Sequence, residues 1–200
     1  MHDPHQAFFD RLAAEWDLMF CAEDLERLAH LVDNIGVQPG MEILDLGCGT
    51  GILFDMLRRK VGPDGLITGV DFSLKMAQQA HRNFPFENVT VVDADAITLP
   101  FLDSTYDMAI SFAAFPHFSD KAKALSEIDR VLKPRAKLYI IHLVSSDELA
   151  EMHRRQGGVV EHDELPSAER LRTMFAASNF KDVRIEDQPG LYLASAVNSK

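Results

Sequence analysis

Strand-like runs that alternate with helical patterns along most of the chain predict an α/β fold, a doubly wound sheet that is mostly parallel and closes on a C-terminal antiparallel hairpin strand. Two observations carry this. Short apolar runs each give way to a helical pattern, and a glycine-rich turn directly follows the first of them. Polar residues also gather where these runs stop, at Asp45, Asp71, Asp95 and Ser111. Open sheets of this class bind ligands outside the carboxyl ends of their strands.

Taken in order, Ala7 to about Val32 reads as helical. Phe8, Leu12, Trp16 and Phe20 recur at a four-residue spacing, and Leu25, Leu28, Leu31 and Val32 make a second apolar face. Pro39-Gly40 is a turn. Met41 to Leu46 is an apolar strand that enters the glycine loop, followed by a helix from about Ile52 to Val61. Leu66 to Val70 is the second strand, and Ser73 caps a helix to about Phe84. Val89 to Val92 and Tyr106 to Phe112 are the third and fourth strands. A helix from about Asp120 to Leu132 ends at Lys133-Pro134, because proline disfavours helix in the preceding residue. Lys137 to Val144 is the fifth strand, Ser146 to Arg155 a helix ended by Gly157-Gly158, and Ala168 to Ala177 a helix capped by Ser167. Val183 to Asp187 and Tyr192 to Val197 flank Pro189-Gly190, a dipeptide suited to a tight antiparallel turn.

No repeat or flexible linker divides the 200 residues, so residues 1–200 are expected to form one domain, with 1–38 as a helical cap and 145–166 as a lid segment. The formal net charge of -11 repels phosphate backbones and anionic membranes, so no nucleic-acid partner is expected. The longest apolar stretch, Leu138 to Val144, is far too short for a membrane span. The start, Met1 to Gln6, shows no signal-peptide pattern, and Cys21 and Cys48 give no disulfide framework. The expectation is a cytoplasmic protein.

Gly47, Gly49 and Gly51 follow a buried strand and open a helix, so the backbone there can approach a ligand closely. The spacing Gly-x-Gly-x-Gly differs from the dinucleotide-binding Gly-x-Gly-x-x-Gly. Asp45, two residues before the first glycine, would repel a pyrophosphate and attract a cation. S-adenosylmethionine carries an ammonium and a sulfonium and no phosphate, so the acidic mouth favours it over a nicotinamide cofactor or ATP. Asp71 ends the second strand, where an acid accepts from both ribose hydroxyls; the alternative is a helix-capping role. Asp95 follows the third strand and is placed to accept from an adenine amino group, with Asp93 as a competitor.

Five stretches resemble the class I methyltransferase superfamily, and within it the small-molecule branch that includes ubiquinone and menaquinone methyltransferases. They are Phe9 to Asp17, Ile43 to Gly51, Val70 to Met76, Ala94 to Phe101 and Ile128 to Pro134. The resemblance implies a Rossmann-like sheet and S-adenosylmethionine as cofactor, leaving S-adenosylhomocysteine as product. It implies that the loop from Gly47 through Cys48 and Gly49 to Gly51 holds the methionine portion. Asp71 would bind ribose, Phe72 would pack beside adenine, and Asp95 and Ala96 would bracket it. Ser111 would lie near the methionine end, and Met76 joins the cofactor set. The sequence departs from the pattern at Asp93-Ala94 and at Arg135-Ala136, where the superfamily usually carries glycine, so the second turn is expected to be made differently.

The acceptor is expected to be a small, largely apolar molecule roofed by the N-terminal helices and residues 145–166. Phe8, Phe9, Trp16 and Phe20 either line its pocket or simply pack on the sheet. His117, His142, His153 and His162 offer a base, with His142 leading because it leaves the fifth strand toward the glycine loop, and His117 second. Glu161 and Asp163 flank His162 and would raise its basicity. The histidine spacings match no compact metal motif, so no metal is expected. Ordinary packing of these histidines stays open, as does a non-catalytic module that binds S-adenosylmethionine. Gly47→Val is expected to abolish cofactor binding and leave the fold largely intact.

Overall fold

The computed structural model describes residues 3–200. The strands are β1 (Glu42–Leu46), β2 (Leu66–Asp71), β3 (Val89–Asp93), β4 (Tyr106–Phe112), β5 (Leu132–His142), β6 (Phe180–Gln188) and β7 (Leu191–Asn198). They form one sheet in the order β3-β2-β1-β4-β5-β7-β6. The first five are parallel, and β7 inserts antiparallel between β5 and β6. The strand order reverses between β1 and β4, and ligands of doubly wound sheets bind at such a reversal.

Helices cover both faces, which is why the strands read as nearly continuous apolar runs. Neighbours on β1 go opposite ways. Ile43 joins Leu28 and Val32 of α2 (Ala22–Asn34), Leu57 of α3 (Phe54–Val61) and Ala80 of α4 (Leu74–Asn83). Leu44 joins Leu125 and Ile128 of α5 (Lys121–Val131), Leu149 of α6 (Ser146–Gln156) and Phe175 of α7 (Ala168–Ala177). Full burial of each such side chain contributes about 1.5–3 kcal/mol, and these two cores hold the strand ends rigidly in place.

The N-terminal cap differs from the single helical pattern expected of it. Helix α1 (Pro4–Leu12) stops, a 3-10 turn spans Trp16–Met19, and α2 starts afresh at Ala22. The break has one local cause and one tertiary cause. Cys21 adopts extended backbone and forms a capping box with Asp24, and Asp17 is drawn away to accept from the Thr50 hydroxyl. A third, smaller core joins Phe9 and Ala13 to Met76 of α4 and to Val160 beyond α6. It seams the cap to the sheet edge that carries the glycine loop.

The turn before β5 also departs from expectation. Strand β5 begins at Leu132 and bulges opposite Tyr106 and Met108 before the regular pairing resumes at Lys137. Arg135 takes the left-handed conformation there, with φ 65°. The backbone thus keeps the conformation that glycine serves, and the bulge carries an arginine in it at a cost of about 1–2 kcal/mol. Among the described residues no helix is long and apolar enough to cross a membrane.

Candidate active site

The chain leaves β1 through Gly47 and Cys48, whose amides both donate to the Val70 carbonyl at 2.8 and 3.0 Å. Gly47 has φ 69°, and a Cβ there would overlap the Ala114 side chain in the connection after β4. That connection turns sharply because Ala113 itself is left-handed, with φ 54°, a strained conformation for a residue with a Cβ. Gly47→Val would therefore strain the fold as well as the loop, contrary to the sequence expectation. Gly49 has φ 54°, and a Cβ on it would stand 3.3 Å from Nε1 of Trp16. Gly51 plays another part. It lines neither neighbouring cavity, and its open face receives Phe54 and Phe84, which a Cβ would meet at 2.7 and 2.8 Å.

Two carboxylates lie under this loop. Both Asp45 oxygens are buried without a hydrogen-bond partner. Burial, with the Asp71 charge in support, pushes the Asp45 carboxyl up to about 8. Asp71 is differently placed. One oxygen accepts from the Gly49 amide at 2.8 Å, and the other from the Ser73 amide at 2.8 Å. Burial raises its pKa to about 6 against the pull of those two bonds. Ser73 is the cap of α4, accepting from the Met76 amide. Asp71 therefore ties the glycine loop to the start of α4, a role between the two considered from sequence.

Two adjoining cavities open at this edge. The first is lined by Asp45, Gly47, Cys48, Gly49 and Met76, and Phe9 and Trp16 of the cap leave it only about 50 Å³. The second, about 250 Å³, is bounded by Val70, Asp95, Ala96 and Asp163. Asp71, Phe72 and His117 line both. One Asp95 oxygen accepts from the Ile97 amide at 3.1 Å, while Asp93 is exposed.

Residues 44–140 match the family model described as a methyltransferase domain. The chain is 35% identical over 144 residues to a 2-phytyl-1,4-naphtoquinone methyltransferase of Nostoc sp., covering 68% of this chain and 63% of that protein. It is 38% identical over 106 residues to a demethylmenaquinone methyltransferase of Staphylococcus aureus, covering 52% of this chain and 44% of the relative. The chain belongs to the class I methyltransferase superfamily. It spans less than two thirds of the length of both relatives. The fold agrees with that of a SAM dependent methyltransferase from Aquifex aeolicus, at a TM-score of 0.69 and 24% identity, with 99% of this chain and 100% of that one covered.

The cofactor of the superfamily, S-adenosylmethionine, can be tested against the residues present. The orphaned Asp45 carboxyl offers a buried acceptor to an ammonium. Gly47 and Gly49 line the smaller cavity with backbone alone. Asp71, Phe72, Asp95 and Ala96 wall the larger compartment. The donor set fits the group. Cys48 is free, and burial pushes its thiol up, so it lines the wall as a small apolar residue.

His142 and Ser111, like Gly51, fall outside both cavities. His142 is 2% exposed, with Nε2 unpartnered and its ring edge-on to Tyr192 at 6.2 Å. Burial, reinforced by the nearby His117 and His153, pushes its pKa down to about 3. His142 pairs with Tyr192 of β7, whose ring packs edge-on against it, and borders neither cavity. Ser111 is fully buried in β4 and its hydroxyl is also unpartnered. Asp163 does not act on His162, which is exposed; its carboxylate bonds His117 instead.

Sequence reasoning missed the ties that clamp the cap. Asp10 accepts from the Ser73 hydroxyl at 2.6 Å and from the Lys75 amide at 3.1 Å. Gln6 donates to the Phe72 carbonyl at 2.8 Å. The polar face of α1, set between the apolar positions Phe8, Phe9 and Leu12, was the available signal. Among the described residues no three His, Cys, Asp or Glu side chains converge to hold a metal ion.

Proposed function

We propose that this chain transfers a methyl group from S-adenosylmethionine to a small, largely apolar acceptor. The observation that carries the reading is the buried, unpartnered Asp45 carboxyl, which lines a cavity beside Gly47 and Gly49. A buried carboxyl without a partner is costly, and such cost is retained where a cationic ligand offsets it. In this reading Asp45 meets the ammonium and the loop backbone lies along the methionine portion, with Cys48 and Met76 as apolar wall. Asp71 serves the ribose through its remaining lone pairs, and Phe72, Asp95 and Ala96 serve adenine.

When bound, the cofactor supplies a methyl group already activated on sulfonium. The protein's own task is alignment, which contributes about 7–11 kcal/mol when two reactants are held in register. Phe9, Trp16, Phe20 and Phe112 supply an apolar wall on the acceptor side. Ligand pockets generally need about 300–1,000 Å³, more than the smaller compartment offers. In this reading residues 4–20 open to admit ligands and dock again over them, with residues 145–166 as the second half of the lid. The quinone methyltransferase relatives support a flat quinol ring as acceptor. The formal charge of -11 and two free cysteines support a cytoplasmic setting, without nucleic acid.

Methyl-labelled S-adenosylmethionine tests this against reduced demethylmenaquinone, 2-phytyl-1,4-naphthoquinol, bulk tRNA and protein extract. Label is expected in a small molecule alone. Label confined to RNA or protein overturns the acceptor class. Cofactor binding without transfer to any metabolite fraction would make the chain a non-catalytic module.

A further inference from the structure

His117 sits on the 3-10 turn Phe115–His117 after β4, and with Asp71 it is the titratable side chain that borders both cavities. Its Nδ1 lies 2.7 Å from a carboxylate oxygen of Asp163. The same carboxylate is 3.0 Å from Nε2 of His5, on the first turn of α1. The backbone carbonyl of Asp163 in turn accepts from Nδ1 of His153 on α6. One residue thus joins the cap, the lid segment and the loop after β4.

The chemistry of that contact is directional. A carboxylate only accepts, so Nδ1 of His117 must carry the hydrogen, and neutral His117 keeps its lone pair on Nε2. Burial works to raise Asp163, but the bond from His117 and the charges of His117 and His5 outweigh it and hold the carboxyl below its ordinary range. Burial also pushes His117 below its ordinary value, against Asp163, with His153 and His5 adding to the decrease. The titratable groups that act on His117 are therefore Asp163, His5 and His153, with His142 near enough to feel its charge and Lys121 near enough to feel that of Asp163.

Resting on the methyl-transfer reading above, we propose that His117 Nε2 is the base for a protic acceptor, and that Asp163 is the residue that positions it only when α1 is docked. The acceptor class is then one whose attacking atom bears a proton, such as a ring hydroxyl, and not a tertiary amine or thioether. In the step, the acceptor's X–H bond gives its proton to Nε2, and the X electron pair forms the new X–CH₃ bond. The CH₃–S bond breaks, its electron pair stays on sulfur as a neutral thioether, and the proton leaves His117 to solvent when the cap opens. Docking is coupled to base orientation because His5 and His117 share one carboxylate.

The test is an NMR titration of histidine-labelled protein with S-adenosylhomocysteine as the probe. Unmodified His117 is expected as the Nδ1–H tautomer, titrating below about 6.5. Asp163→Asn removes the charge that favours imidazolium, so the His117 midpoint is expected to fall by about one further pH unit. His5→Gln is expected to speed hydrogen exchange in α1 at least several-fold while S-adenosylhomocysteine still binds. In turnover, Asp163→Asn should lower kcat by about 10²-fold or more at unchanged acceptor KM, the scale of a lost base. An Nε2–H tautomer in the unmodified protein overturns the proposal and needs no variant to fold. An unmoved His117 midpoint in Asp163→Asn, or unchanged α1 exchange in His5→Gln, overturns it equally. If S-adenosylhomocysteine fails to bind at all, the methyl-transfer reading itself falls, which separates the two failures.

Discussion

Asp45→Asn is expected to stabilise the unliganded protein and to cripple its cofactor site. The Asp45 carboxyl is buried without a partner and titrates near 8, whereas in the unfolded chain it titrates near 3.8. The sign follows from that order. Well below pH 3.8 both states are protonated and the group costs no charge burial. As pH rises toward 8 the unfolded chain gains an ionised carboxylate that the fold resists, so stability falls across that window and levels off above it. Asparagine has no such charge to lose. Each pH unit is worth about 1.4 kcal/mol at full effect; with water penetration, a gain on the order of 2–4 kcal/mol at pH 8 is reasonable. In a chain of this size that is a rise of about 5–10 °C in melting temperature. The gain should vanish near pH 4. Affinity for S-adenosylmethionine should drop about ten- to hundredfold, since a charged hydrogen bond contributes about 1.5–3 kcal/mol. Thermal melts at pH 4 and pH 8, with titrations at pH 8, check both halves. A variant no more stable at pH 8 than at pH 4, relative to the unmodified protein, contradicts the assignment.

Asp71→Ala is expected to do the reverse, weakening fold and site together. It strips the buried amides of Gly49 and Ser73 of their acceptor. A buried donor left unsatisfied costs about 1–3 kcal/mol, so the pair amounts to roughly 2–5 kcal/mol. The glycine loop loses its tether to α4, and S-adenosylmethionine affinity should fall by well over tenfold. Asp71→Asn keeps one accepting oxygen, and its loss of stability should be about half. Denaturant unfolding of both variants, with cofactor titration of whichever folds, is the check. Unchanged stability in Asp71→Ala would mean that the loop is held by other contacts.

The parallel part of the sheet was legible because its strands announce themselves twice, as apolar runs and as runs that stop at an acid or a turn. Asp45, Asp71 and Asp95 could be found that way, and all three border the cavities. The cap was harder. Phe8, Leu12, Trp16 and Phe20 keep helical spacing, yet the chain breaks because Trp16 lies over Gly49 and Asp17 meets Thr50, contacts set by tertiary packing. His142 shows the same limit. Its place at the end of β5 points to the site, but Tyr192 of β7, from distant sequence, packs its ring against it and His142 is buried. Asp163 reads locally as a neighbour of His162, and only the fold brings it to His117 and His5. At Arg135 the usual glycine is missing but the left-handed backbone is not, so residue type alone misjudged the turn.

Calorimetric titration of S-adenosylmethionine at pH 7, repeated in buffers of different ionisation enthalpy, tests the central claim most directly. A carboxyl that titrates near 8 is mostly protonated at pH 7 and must ionise to meet the ammonium. The account predicts saturable binding with release of close to one proton, strengthening as pH rises from 6 to 8. Absence of binding, or binding with no proton release and no pH dependence, would contradict it.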